Sequence, residues 1–591
     1  MCGIVAYIGE NAENTLFDML KKLEYRGYDS AGIATICDND FSVIKTEGKV
    51  ENLKNKLKYT NSQIGIGHTR WATHGKPTEI NAHPHLSQNG EWAVVHNGII
   101  ENFTELKQEL LSEGYSFYSQ TDTEVIAALF EKYSSLPTNL QIQAVVSKLV
   151  GSFSFAVINK RCPDTLILVK KRSPLYIASC CDKIYAASDP IAFEYVKEYY
   201  IFEENEYCIV KENKFDFFDF KGKRVLKKAV PYDCKQTSAS NAFAHHMLEE
   251  IYESPCALSR LCDAFESKEY LEKIEKIKTF DFNKIYIVGC GTAYHSGLVG
   301  AKYLQKELAI PASAHIASEF KYNPPIIDKN TLCIFVSQSG ETADTIASMH
   351  EAKKKHAKTI AIVNYAHSTI SRMANISIPI QAGVEIAVAS TKAYTNQCAT
   401  FYLLAKFLSS SGDKTKHIKQ IKQLSKMTKN MISSPLVDEL KILAKELKNT
   451  KNVFFIGKNY DYITACEAAL KLKEISYINC SALPAGELKH GTLALVENGV
   501  YVIAISTELR LAPKVENATN ETLSRGATTL TLSTLNKEFA HSKVISLPRT
   551  STELAPIISI IPLWLISYFV STSKSINPDK PRNLAKSVTV E

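Results

Sequence analysis

Lys284-Ile285-Tyr286-Ile287-Val288-Gly289 returns 168 positions later as Asn452-Val453-Phe454-Phe455-Ile456-Gly457. Each is a short apolar run closed by glycine, the pattern of a buried strand meeting a tight turn. The same offset carries Ala317-Ser318-Glu319-Phe320-Lys321-Tyr322 onto Ala485-Gly486-Glu487-Leu488-Lys489-His490, and Asn330 onto Asn498. Strands alternate with helical patterns throughout this half. The reading is therefore α/β, with two duplicated parallel-sheet domains over 275–415 and 445–580. A dinucleotide site is not expected, because Gly289-Cys290-Gly291 lacks the last glycine of the Gly-x-Gly-x-x-Gly fingerprint.

Within the first copy, the strand-like Thr331-Leu332-Cys333-Ile334-Phe335-Val336 runs into Ser337-Gln338-Ser339-Gly340-Glu341-Thr342 and a helical pattern from Ala343 to Lys355. Hydroxyls and first-turn amides at a helix start make an anion site, since those N–H groups have no partner within the helix. A plain turn capped by Ser339 or Thr342 is the alternative. The second copy has Ser506-Thr507-Glu508 at the corresponding place, which points to one functional site built mainly on the first copy.

The N-terminal half differs. It opens Met1-Cys2-Gly3-Ile4-Val5. Loss of Met1 would leave a thiol and a free α-amine on one residue, and an amine of pKa about 7.7–8 can serve as the thiol's base. Three polar motifs follow inside apolar stretches. They are Leu23-Glu24-Tyr25-Arg26-Gly27-Tyr28-Asp29-Ser30-Ala31-Gly32, Gly67-His68-Thr69-Arg70-Trp71-Ala72-Thr73-His74-Gly75, and Val94-Val95-His96-Asn97-Gly98-Ile99-Ile100-Glu101-Asn102 with Asp122 beyond it. Hydrolysis of free glutamine needs a cation for the carboxylate, an anion for the ammonium and an oxyanion hole. Arginine, aspartate and an Asn-Gly pair supply these. Taken singly, Asn97-Gly98 reads equally as a hairpin turn, Asp122 as a helix N-cap and Arg70 as a surface ion pair.

Behind Cys2, the three motifs together resemble the class II glutamine amidotransferases, over roughly residues 2–220. That resemblance implies an N-terminal nucleophile fold, a four-layer αββα sandwich. It further implies Cys2 as nucleophile, Asn97 and Gly98 as oxyanion hole, and Trp71 as a gate for released ammonia. Arg70, Thr73, His74 and Asp122 would bind glutamine, with Arg26 supporting the site. The duplicated half, with Gly289-Cys290-Gly291-Thr292 and Ser337-Gln338-Ser339-Gly340, resembles a tandem sugar isomerase (SIS) module. Amidotransferases that join the two halves resemble the whole chain, including Glu467 to Tyr477, Gly486 to Gly491 and the tail 581–591.

The combined resemblance implies transfer of glutamine's amide nitrogen to fructose 6-phosphate, giving glucosamine 6-phosphate for hexosamine synthesis. Lys586 would hold the open keto sugar as a Schiff base, Glu474 would move the proton between C1 and C2, and Lys471 would assist. His490, from the neighbouring subunit of a homodimer, would open the ring. Thr292, Ser337, Gln338, Ser339 and Thr342 would hold the phosphate, and Val388, Ser390 and Ala585 would line the sugar. No metal or organic cofactor is called for. Ala293, Thr492 and Ala387 depart from the family's usual Ser, Pro and Gly, leaving room for a related ketose phosphate as substrate.

Composition narrows the rest. At 591 residues the chain needs several cores, and 45% hydrophobic with 22% charged residues is ordinary for a globular protein. A net charge of +7 and pI near 8.5 suit anionic small substrates more than nucleic acid. Fourteen cysteines without a Cys-x-x-Cys pair or a visible leader read as free thiols of a cytoplasmic protein. Lys414 to Lys429 reads as an amphipathic helix on Ile418, Ile421 and Leu424, and Leu554 to Ser573 as a buried helix rather than a membrane span. The stretch 221–244 reads as a linker. A transferase using phosphoribosyl pyrophosphate lacks its motif here, and a sugar-phosphate sensor would have no use for Cys2 or Lys586.

Overall fold

Alternation along the strands builds the N-terminal half. In strand Gly3–Ile8, Ile4 and Ala6 face one side and Val5 and Tyr7 the other. Ile4 and Ala6 join Ile64 and Ile66 of strand Ile64–Arg70, and Ala93 and Val95 of strand Trp92–Ile100, in a core between two sheets. Val5 and Tyr7 pack outward beneath Leu16 and Leu20 of helix Ala12–Leu23. Across the molecule, Val94, Phe153 and Val157 pack against helices Phe103–Ser112, Glu124–Lys132 and Thr138–Lys148. The result is the expected αββα sandwich, with sheets of eight and seven strands.

The computed structural model describes residues 2–57, 61–71, 75–232, 242–409, 413–540 and 542–589. The chain forms two compact units, one of residues up to Tyr232 together with 587–589 and the other spanning 242–586. Within the stretch read as a linker, Arg224–Val225 and Val230–Pro231 extend the two sheets as edge strands, and Tyr232 packs edge-on to Phe193 and Tyr199. Residues 233–241 of that stretch lie outside the described residues.

Each repeat of the second unit is a five-stranded parallel sheet. The first runs Ala312–Ile316, Lys284–Gly289, Thr331–Ser337, Lys358–Val363, Ile376–Pro379, and the second Asn479–Pro484, Asn452–Gly457, Tyr501–Ser506, Thr528–Ser533, Lys543–Ser546. Corresponding strands take corresponding places. In both, the order reverses beside the first strand, so the carboxyl ends open a crevice there. Gly289 and Gly457 end those first strands where the next helix comes very close. A Cβ would lie 3.1 Å from the backbone of Ala293 in one and 2.4 Å from that of Asp461 in the other.

One apolar core joins the repeats. Helices Gly291–Leu308, Lys392–Leu408, Tyr460–Ser476 and Ala555–Ser573 give Val299, Phe401, Leu472 and Trp564 to it. Ala555–Ser573 is long and apolar enough to cross a membrane, but 89% of that apolar window is buried inside the protein. Helix Lys414–Ile432 buries Ile418, Ile421 and Leu424 and exposes Lys416, Lys419, Lys426 and Lys429. Two helices, His246–Glu266 and Lys268–Lys278, lie largely ahead of residue 275 and bury Ile251, Leu258 and Ile274 in the same core.

Candidate active sites

Followed past its apolar residues, the face between the two N-terminal sheets becomes polar. Cys2 comes two residues before Ile4, His68 and Arg70 follow Ile66, and Asn97 follows Val95. The period of two thus brings three sequence motifs to one end of the inter-sheet core. The Cys2 Sγ accepts a hydrogen bond from the Trp71 N–H at 3.2 Å. The Cys2 carbonyl accepts from Asn97 Nδ2 at 3.0 Å and from Arg26 Nε at 3.3 Å. Arg26 is anchored by Asp189, 3.1 Å away, and Tyr28 packs edge-on to Trp71. Burial pushes the Cys2 thiol up, opposed by the amino terminus, the Trp71 N–H and the Arg70 charge.

Gly98 has a φ of 126°, and a Cβ there would sit 2.0 Å from the Ser152 carbonyl oxygen. Only glycine fits at that approach. Asp122 accepts the Ile100 N–H at 2.8 Å, so it holds the strand rather than capping helix Glu124–Lys132. Arg70 is buried, and burial lowers it against the raising effect of Cys2, Asp122 and Asp29. Thr73 and His74 lie outside the described residues.

The sequence reading passed over a cluster of buried histidines behind Asn97. His68 Nε2 lies 3.0 Å from Asn97 Oδ1, which fixes it as the donor, because an amide oxygen only accepts. Burial holds His68 down at about 3, so the ring is neutral. His83 stacks on it at 4.1 Å, and His85 meets His83 edge-on. Alternation, which puts His68 on the same strand face as Ile64 and Ile66, signals its burial but not its partner.

In the second unit, Ser337 Oγ lies 3.0 Å from Thr342 Oγ1 and 3.5 Å from Ser339 Oγ, and accepts the Gly340 N–H at 3.0 Å. Thr342 takes the N-cap position of helix Ala343–Lys354 without capping it by its side chain. The hydroxyls therefore gather around the turn, and the Gln338 carbonyl accepts from Asn364 N–H. Thr292 donates to the buried Glu467 at 3.1 Å, and His295 Nδ1 is 2.7 Å from the same carboxylate. On helix Tyr460–Ser476, Lys471 Nζ is 2.6 Å from Glu474 and 3.6 Å from Glu467. Burial pulls Lys471 down, but the two carboxylates outweigh it and the net shift is upward.

Lys586 reaches this region from the tail. Its Nζ is 2.6 Å from Glu385 Oε2, with side-chain exposures of 4% and 0%, so the pair is shut away from water. Glu385 also accepts from Ser390 Oγ at 2.7 Å and from the N–H groups of Thr391 and Ala393. Burial alone would raise Glu385; Lys586 and these hydrogen bonds win and hold it at about 2. Asp579 positions the tail. Its carbonyl accepts the Val388 N–H at 3.0 Å, and its carboxylate accepts the first amides of helix His246–Glu266, from His246 and Met247. Glu250 of that helix accepts the N–H groups of Ile386 and Ala387, and burial with the Glu385 charge pushes it up to about 8. Ala585 precedes Lys586 half-buried, while His490 stands exposed on a short turn. Glu385, Glu467 and Glu250 were not read as site residues. Glu250 could have been, since an acid at helical spacing from Met247, Ile251 and Ser254 lies on the buried face.

Family comparisons agree with this two-part construction. The Glutamine amidotransferase domain family matches residues 68–194, and the SIS domain family matches 280–407 and 446–571. Over the full length of both chains, the sequence is 42% identical to the glutamine–fructose-6-phosphate aminotransferase (isomerizing) of Caldanaerobacter subterraneus and 43% identical to that of Clostridium tetani. The chain belongs to the glutamine–fructose-6-phosphate aminotransferase family. As a member of that aminotransferase family it is an enzyme. Among solved structures, the C-terminal domain of glucosamine-fructose-6-phosphate aminotransferase from Francisella tularensis is 32% identical with a TM-score of 0.54, spanning 58% of this chain and all of that one. The tagatose-6-phosphate ketose/aldose isomerase of Escherichia coli shares the fold at 16% identity, with a TM-score of 0.51 over 58% of this chain and 96% of its own.

Proposed function

We propose that the enzyme makes glucosamine 6-phosphate and glutamate from fructose 6-phosphate and glutamine, the entry to hexosamine synthesis. After loss of Met1, the Cys2 thiolate attacks the glutamine amide, ammonia leaves, and water hydrolyses the thioester to glutamate. Asn97 and Gly98 stabilise the oxyanion, while Arg70, Thr73, His74 and Asp122 hold the amino acid. Ammonia passes Trp71. The phosphate rests on Ser337, Gln338, Ser339, Thr342 and Thr292, and the sugar lies against Val388, Ser390 and Ala585. Lys586 condenses with the C2 carbonyl, releasing water, and ammonia then displaces the lysine. Glu474, partnered by Lys471, moves the C1 proton to C2, leaving an aldehyde at C1 and an amine at C2.

The observation that carries this reading is the buried Lys586–Glu385 pair beside the Ser390 and Val388 loop, in a chain with full-length relatives of this name. The exposed His490 suits a role in a neighbouring subunit, so we read the protein as a homodimer, and its free thiols suit a cytoplasmic setting. Glutaminase residues 2–220, SIS domains 275–415 and 445–580, and tail 581–591 are the functional divisions. The test is borohydride reduction in the presence of fructose 6-phosphate. It should attach the sugar to the peptide containing Lys586; labelling spread evenly over surface lysines would remove Lys586 from the mechanism.

A further inference from the structure

We propose that the second repeat holds a ligand pocket of its own, for a small phosphorylated sugar, at the place that corresponds to the sugar-phosphate site of the first. A cavity of about 460 Å³ opens at the carboxyl ends of strands Asn452–Gly457 and Tyr501–Ser506, within the range of small-molecule sites. The 168-residue offset maps its walls onto the first site. Glu553 takes the place of Glu385, Lys306 that of Glu474, Arg510 that of Thr342 and Asn459 that of Gly291.

The backbone has kept the turn. Asn459 holds a φ of 57°, against 52° for Gly291, although a non-glycine residue is strained there. The side chains have changed in kind. The acid that would move a proton is replaced by Lys306, and among the described residues no amine like Lys586 faces Glu553 from a tail; Lys306 and Lys406 lie 2.6 and 3.4 Å from it instead. The pocket is thus equipped to bind and not to isomerise.

Charge selects the ligand. Three cations and two carboxylates line the cavity. Lys306 pairs with Glu553 and Arg510 with Glu508, whose other oxygen accepts from Asn459 Nδ2 at 3.0 Å. Lys302 is left with no carboxylate within ion-pair distance among the described residues, its ammonium 5.8 Å from the Tyr460 ring. Burial lowers its pKa, with Glu508 opposing, so an anion beside it would relieve the desolvated charge. Asn459 and Tyr460 at the start of helix Tyr460–Ser476 line the same cavity, and the Asp461 carboxylate of that turn is taken up by the Thr507 N–H and hydroxyl. A phosphate ester has the charge, and a sugar body has the size, for the remaining space.

This comparison rests on reading the first pocket as the sugar-phosphate site, and the experiment separates the two. Isothermal titration of the full chain with glucitol 6-phosphate, which has no carbonyl to react with Lys586, should give two molecules bound per chain. Ser337→Ala with Ser339→Ala should remove one, testing the first site. Lys302→Ala with Arg510→Ala should weaken the other at least tenfold and retain amino-sugar synthesis. Should that double variant not fold, Lys302→Gln, which breaks no ion pair, should weaken the same binding event. One molecule per chain, with stoichiometry and affinity indifferent to the Lys302 and Arg510 changes, would overturn the proposal.

Discussion

Asn97 can offer its amide hydrogens to Cys2 only if its oxygen is held elsewhere, and His68 holds it. A neutral imidazole donating through Nε2 allows one orientation of the amide; the flipped one would set N–H against N–H. His68 is thus a positioning residue for Asn97, and through it for the oxyanion hole proposed there. His68→Leu should lower kcat for glutamine hydrolysis about 10²–10³-fold, the typical cost of a lost oxyanion donor. The KM should change little, because the groups read as binding the amino acid are untouched. His68→Gln, whose amide can donate to the same oxygen, should recover much of the loss, and the pH profile of kcat should not move, since the ring does not titrate near neutrality. A Gln variant as poor as Leu, or a KM effect without a kcat effect, would contradict the assignment. Asn97 was legible from its Gly neighbour and from Cys2; its helper was not, because one histidine within a strand carries no local signature of a partner 29 residues away.

Strands Ile64–Arg70 and Trp92–Ile100 carry much of this burial, and that gives the N-terminal unit a dependence on pH. Burial lowers His68 to about 3 and His83 and His85 well below their ordinary value. The unfolded chain would protonate the same rings near 6.5. Below that pH the unfolded state binds protons that the native state refuses, so stability falls as pH falls. The slope approaches about 4 kcal/mol per pH unit for three such groups, at about 1.36 each. Hydrogen exchange of peptides from these two strands, corrected for intrinsic rates, should show protection lost steeply from pH 6.5 to 5.5. His85→Asn should remove about a third of the slope. The same protection at both pH values would mean that the rings find protons or water in the native state. Elements of this kind were well read from the sequence: Ile64-Gly65-Ile66 and Phe153 to Ile158 lie in strands, and Ala343 to Lys354 is helix. Edge strands such as Arg224–Val225 were not, because a two-residue strand is made by its neighbour and not by its own composition.

At the scale of the whole molecule, the residues proposed for the two chemistries fall in two compact units. Each unit has its own apolar cores, so disabling one site leaves the other folded. Cys2→Ala should therefore abolish glutamate release from glutamine while fructose 6-phosphate binding keeps its affinity within about twofold, since a shift of a full tenfold would need 1.4 kcal/mol of coupling between the units. Titration with the sugar phosphate and an assay for glutamate decide it together. Undiminished glutamate release would remove Cys2 as nucleophile, and lost sugar binding would show that the units are coupled more tightly than their separate cores imply.

What the sequence determined by itself was whatever is written locally or by repetition. Period-two alternation defined the strand faces, the 168-residue offset announced the duplicated sheets, and the chemistry of Cys2, Asn97-Gly98 and Ser337 to Thr342 marked where reaction could occur, whereas Lys586 was singled out by family resemblance alone. Tertiary structure decided which of these groups meet. Glu385 and Lys586 are 201 residues apart and touch because Asp579 ties the tail to helix His246–Glu266 and to the Val388 loop. Glu467 and Thr292 meet because the two repeats share one helical core. The physical reason is range. Patterning records how each residue sits against its near neighbours, whereas a buried ion pair depends on the register of sheets and helices hundreds of residues apart, and its strength comes from burial that no single segment possesses.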